Sequence, residues 1–107
     1  MELAANERVV LFGLLPDSGD ITTMRALRLL KEAIALSEEE TKAIDYVVVA
    51  VDGQNMVQWN PEKAKEVVKE IEISGVMNAM IVGILNDLEK AKGLKDNHIE
   101  LWDKFCG

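Results

Sequence analysis

The sequence predicts an α+β fold in which about five helices pack on a small antiparallel sheet. Two observations carry that class. Apolar residues recur at spacings of three and four over several stretches, and one β-branched run is closed by an Asp-Gly dipeptide. The size bounds the architecture further. With 107 residues, 49% of them hydrophobic, the chain has material for one core and one domain, 1–107. Two prolines and seven glycines exclude collagen-like or Pro-rich low complexity, and the supply of Leu, Ile, Val and Met excludes a disordered tail.

Val9, Val10, Leu11, Phe12, Leu14 and Leu15 form an apolar run ended by Pro16, which predicts a short buried helix stopping near Leu14. Asp17-Ser18-Gly19-Asp20 is a turn cluster whose last acid is placed to cap a helix starting at Ile21. In that helix Met24, Leu27, Leu30 and Ile34 make one apolar stripe, with Arg25, Arg28, Lys31 and Glu32 on the other side. Ser37-Glu38-Glu39-Glu40 has capping-box spacing and opens a third helix reaching about Ile44.

Tyr46-Val47-Val48-Val49-Ala50-Val51, the turn dipeptide Asp52-Gly53, and Met56-Val57-Gln58-Trp59 predict a β-hairpin over 46–59. A two-residue turn pairs Val51 with Gln54 and Val48 with Val57, whereas a four-residue loop, 52–55, sets Val48 against Trp59. Either register points Tyr46, Val48, Ala50, Val57 and Trp59 inward. The opposite face, Val47, Val49, Val51 and Met56, is too apolar for a solvated surface and calls for cover by a helix or a second subunit. These four are the candidate interaction surface.

Asn60-Pro61-Glu62 starts a short turn or helix through about Glu66. The next stretch fits either period, and the reading adopted is a third strand, 68–73, joining the hairpin. From Val76 to Lys92 the spacing of Met77, Met80, Ile81, Ile84, Leu85 and Leu88 is helical, with Ser74 as cap and Gly93 in the left-handed position at the end. Met56, Met77 and Met80 read as core filling rather than as an adaptable groove. Asp96 or Asn97 then caps a last helix, in which His98, Leu101, Trp102 and Phe105 share a face.

Charge and chemistry exclude more than they assign. Twelve basic against nineteen acidic side chains give a net charge of −7, so the average field repels nucleic acid and anionic lipid. The one cysteine, Cys106, leaves no internal disulfide, which fits a cytoplasmic setting. The opening residues lack a basic stretch followed by a long apolar one, so they do not read as a signal peptide. The longest nearly uncharged apolar stretch, 73–85, falls short of the roughly 20 residues of a membrane span. His98 has no companion base or nucleophile, since Ser18, Ser37 and Ser74 have turn or cap roles and Cys106 is at the chain end. No zinc, calcium or phosphate-loop spacing occurs, so no catalytic residue, metal or cofactor is expected.

The order of three helices followed by a hairpin echoes a winged helix. Its third helix, however, begins Glu38-Glu39-Glu40, which disfavours contact with phosphates. The runner-up function is thus a DNA-binding regulator using Arg25, Arg28 and Lys31, or a DNA mimic using the acidic surface.

Several pieces in order carry a likeness: the apolar opening ending in Leu14-Leu15-Pro16 and followed by an acidic-glycine turn and Thr22-Thr23; Leu36-Ser37-Glu38-Glu39-Glu40; Val57-Gln58-Trp59-Asn60; Lys69-Glu70-Ile71-Glu72-Ile73; and His98 through Leu101 to Lys104-Phe105. In these the chain resembles a group of small bacteriophage- and prophage-encoded proteins. It departs from the group in the strand 46–51, which is more apolar. The resemblance implies an accessory or structural role in a bacterial host cell or a virion. The leading expectation is therefore a non-enzymatic module that binds a protein partner or a second copy of itself, without membrane.

Overall fold

The structure is a computed structural model and describes residues 1–107. In chain order the elements are β1 (Glu2–Ala4), α1 (Ala5–Leu14), α2 (Ile21–Ile34), α3 (Glu38–Ala43), β2 (Val47–Val51), β3 (Gln54–Gln58), α4 (Pro61–Glu66), β4 (Val68–Glu70), α5 (Gly75–Lys90) and α6 (Ile99–Phe105). Six helices thus accompany two separate two-stranded antiparallel sheets, β1–β4 and β2–β3, and the class is α+β.

Side chains start most helices as their sequences dictate. The Asp20 carboxylate accepts from the Thr23 amide at 2.8 Å and Ser74 Oγ from the Met77 amide at 3.2 Å. At α3 the capping box closes, with the Glu40 amide donating to Ser37 Oγ and the Ser37 amide to the Glu40 carboxylate. Asn60 Oδ1 caps α4 and Pro61 occupies its first turn, where no amide hydrogen is required.

Two endings share one geometry. After α3, Asp45 is left-handed (φ 57°) while the Tyr46 amide donates back to the Thr41 carbonyl and the Asp45 amide to that of Lys42. After α5, Lys92 is left-handed (φ 55°), the Gly93 amide donates to Leu88 and the Lys92 amide to Glu89. Both are Schellman closures. The sequence reading placed Gly93 in the left-handed position. The motif sits one residue earlier, so Lys92 takes the strained conformation and Gly93 the following one.

The third strand is corrected more substantially. Val68–Glu70 does not join the hairpin; it pairs with β1, in the register Glu2 to Glu70, Leu3 to Lys69 and Ala4 to Val68. It also stops before Ile71, which is 2% exposed and turns into the core beside Leu3. Leu3 and Ile71 both have to be buried, and pairing their flanking backbone achieves this. The cap of the last helix is likewise different. Asp96–His98 forms a 3-10 turn, and it is His98 Nδ1 that accepts the Lys95 amide, at 3.0 Å.

The main core is where the helical stripes predict it. Leu27, Leu30 and Ile34 of α2 meet Met77, Ile81 and Leu85 of α5, with Leu11, Leu101, Leu3 and Ile71 closing the sides. Each such side chain contributes roughly 1.5–3 kcal/mol by leaving water. A small second cluster, Ala5, Ile44 and Ala64 with Leu36, Tyr46, Trp59 and Val67 packed on it, holds the base of the hairpin. The Asn60 amide donates to the Ile44 carbonyl at 2.7 Å and ties the two ends of the hairpin together.

Candidate interaction surface

The hairpin is built by its turn. Asp52 (φ 50°) and Gly53 (φ 77°) both have positive φ, the signature of a type I′ turn, whose twist suits two strands joined by two residues. The register follows: Val51 pairs with Gln54, Val49 with Met56, Val48 with Val57 and Val47 with Gln58. The two-residue alternative is the one adopted, and the four-residue loop is not.

Val47, Val49, Val51 and Met56 share one face, as the alternation requires. Val47, Val51 and Met56 are exposed and Val49 is half-buried. The other face departs from expectation. Tyr46 and Trp59 are half-buried in the second cluster, but Val48, Ala50 and Val57 are exposed rather than inward. Both faces are therefore bare toward the tip. Val47, Val48, Val51, Met56 and Val57 are each 40–59% exposed, and they are five of the twelve large apolar residues that the chain leaves in water. No helix of the chain covers them. The strand expected beside the hairpin, β4, pairs with β1 instead, and the hairpin is left as a two-stranded sheet.

An apolar groove of about 490 Å³ lies at the hairpin base, walled by Val9, Phe12, Ile34, Leu36, Tyr46 and Val57. It continues the apolar character of the hairpin onto α1. The strands carry no ionised side chain between Tyr46 and Val51 or between Gln54 and Trp59. Charge begins at the turn, with Asp52, and at the base, where Asp45 Oδ2 accepts from Lys63 Nζ at 2.9 Å.

Beneath the hairpin lies a buried ionic node that the sequence reading did not contain. Arg8 is fully buried. Its Nε donates to the Ile34 carbonyl at 3.0 Å, Nη2 to the Ala35 carbonyl at 2.6 Å, and Nη1 and Nη2 to the two carboxylate oxygens of Glu40. One planar guanidinium thus satisfies the free carbonyls at the end of α2 and bidentately holds the capping residue of α3. The Arg8 hydrogen bonds, with help from the Ser37 amide, hold the Glu40 carboxyl at about 2 instead of 4.5. Of the three acids in the α3 opening, Glu40 therefore has an internal task. A buried acid, Glu7, accepts from the Ala4 amide at 2.9 Å and from Lys104 Nζ at 2.7 Å, joining α6 to the start of α1.

The residues weighed for chemistry lie elsewhere. His98 is buried with Nδ1 engaged, and burial followed by the charge of Lys95 pushes its pKa down. The Cys106 thiol is half-buried, and burial pushes its pKa up. Ser37 and Ser74 are caps. Arg25 and Arg28 are exposed on α2, while Lys31 Nζ stands 5.8 Å from the centre of the Phe12 ring. No helix is long and apolar enough to cross a membrane. Compared with models of protein families, with curated proteins and with solved structures, the chain matches none.

Proposed function

We propose that the protein is a non-enzymatic interaction module whose working surface is the β2–β3 hairpin. The observation that carries this reading is the exposure of Val47, Val48, Val51, Met56 and Val57 on both faces of two strands without an ionised side chain. Scattered apolar residues on a surface are ordinary, but a contiguous group of them marks a contact site. The engagement of His98 Nδ1 by the Lys95 amide supports a structural role for that side chain. An accessory or structural role in a bacteriophage or its host is the setting that the sequence resemblance suggests. The exposed acids Glu38 and Glu39 on α3, immediately before the hairpin, speak against a winged-helix contact with DNA.

The test is a photo-reactive amino acid placed at Val48 or Val57, with a third variant carrying it at Glu32 on α2 as control. Adducts of discrete mass, to a second copy or to one other protein, are expected from the hairpin positions in cells. Equal labelling from all three positions, or none, would sink the reading.

A further inference from the structure

We propose that the hairpin's occupant is a second copy of this chain, joined through the free edge of β2; this rests on the hairpin being the contact surface. Two copies pair antiparallel along Val47–Val51 about a two-fold axis at Val49, giving one four-stranded sheet in the order β3–β2–β2–β3.

Three features of the strand lead there. The first is backbone polarity. In a hairpin with a two-residue turn the residues flanking the turn exchange both hydrogen bonds, and so does every second pair after them. By the observed register those pairs are Val51 with Gln54, Val49 with Met56 and Val47 with Gln58. The amides and carbonyls of Val48 and Ala50 therefore point away from β3, along an exposed edge. When Val49 lies opposite Val49 of the second copy, Val48 faces Ala50 and Ala50 faces Val48, and each pair exchanges both bonds. All four outward groups of each copy are then satisfied.

The second feature is sequence symmetry. Val47-Val48-Val49-Ala50-Val51 reads nearly the same in both directions, so an isologous contact sets Val against Val at its centre and both ends. β-branched cross-strand pairs of this kind favour sheet formation. The edge carries none of the lysines, prolines or bulges that keep natural edges apart. Polar Gln54, Asn55 and Gln58 make β3 the poorer edge.

The third is charge. At net −7, two copies repel except along uncharged surface, and β2 is such a surface. In this register Asp52 at each tip approaches the base of the other copy, where Lys63 is the cation held 2.9 Å from Asp45. The acid at the tip thereby meets an ion pair of no net charge rather than a bare acid. Five edge residues bury less than the ~1,200 Å² of a standard stable interface, so the dimer is expected to be reversible.

Light scattering at about 300 µM, high enough to populate a dimer with a dissociation constant of ~10 µM, should give a mass close to twice the 11.9 kDa of the chain. Ala50→Pro, which removes an outward amide and leaves the β2–β3 bonds intact, should return the monomer with an unchanged circular dichroism spectrum. In a Cys106→Ser background, Val49→Cys should form an intermolecular disulfide on mild oxidation. Its Cα atoms would face each other at ~4.5 Å across the axis, inside the range a disulfide spans. Met56→Cys should not. Linking through Met56→Cys alone, or through both, would overturn the β2 edge in favour of the β3 edge or face-to-face packing. A monomer at this concentration, with no Val49 disulfide, overturns self-pairing. If the photo-reactive hairpin still yields one foreign adduct, the contact surface stands; if it yields none, that reading falls too.

Discussion

Arg8 is the residue on which most local structure depends. Its guanidinium meets two main-chain carbonyls of the α2 terminus and both oxygens of Glu40, so no other side chain fits the position. Arg8→Met keeps the apolar stem but strands Glu40 and the two carbonyls. It should cost about 3–5 kcal/mol of stability, the usual result of breaking a buried pair from one side, as read by urea unfolding. Lys92 offers the opposite case. A left-handed non-glycine residue is strained by about 1 kcal/mol, so Lys92→Gly should raise the melting temperature by roughly 4–8 °C. The residue scale also shows where sequence reading stops. Glu40 is legible as a capping-box residue because its partner is three positions away, whereas Arg8 sits in an apolar run with its partner beyond the whole of α2. Gly93 misleads for a simpler reason: glycine is the habitual left-handed residue, and here the hydrogen-bond pattern puts Lys92 there.

At the scale of elements, acid should dissolve the structure in two stages. His98 at the head of α6 has a pKa below its ordinary 6.5. The unfolded chain therefore takes up the proton first, and stability should decline as pH falls from about 6.5. That stage should disappear in His98→Asn. Glu40 is depressed to about 2 from 4.5, so its contribution is complete above pH 4.5 and is lost as pH drops through that range toward 2. Thermal melts from pH 8 to 2 would separate the stages. Helices α2 and α5 were readable because their stripes are long and their caps local. β1 was not, since three residues with Leu3 as the only large apolar side chain show no period, and their partner, Val68–Glu70, is far along the chain. The strand at 68–70 was legible as a strand, yet its neighbour depended on burying Leu3 with Ile71, which no local pattern records.

Over the whole molecule, apolar content and buried content do not coincide. Only 18 residues of 107 are buried although 49% are hydrophobic, and the hairpin strands hold five of the twelve large apolar residues left in water. Stability should therefore be insensitive to it in dilute solution. Val47→Thr and Val51→Thr should each change unfolding free energy by less than about 0.5 kcal/mol, whereas Ile81→Ala in the core should cost about 2–5 kcal/mol. Amide exchange should follow the same division, fast in β2 and β3 and slow in α2 and α5, because a lone two-stranded ribbon opens without unfolding the core. The four residues chosen from alternation alone, Val47, Val49, Val51 and Met56, do share one face of the hairpin. The other face was misjudged because alternation tells which residues point together and nothing about whether anything stands opposite.

The closure of β1 on β4 sets an order of events during synthesis. Glu2–Ala4 must wait for Val68–Glu70 before it can pair, and everything between them emerges first. The hairpin needs no such wait, since its strands are joined by two residues and local pairings form fastest. A nascent chain thus displays its most adhesive edge before its core exists, and neighbouring chains on one message meet at high local concentration in that interval. Under the proposed β2 pairing, association between copies begins on crowded ribosomes, and excess expression should first show itself there as aggregation.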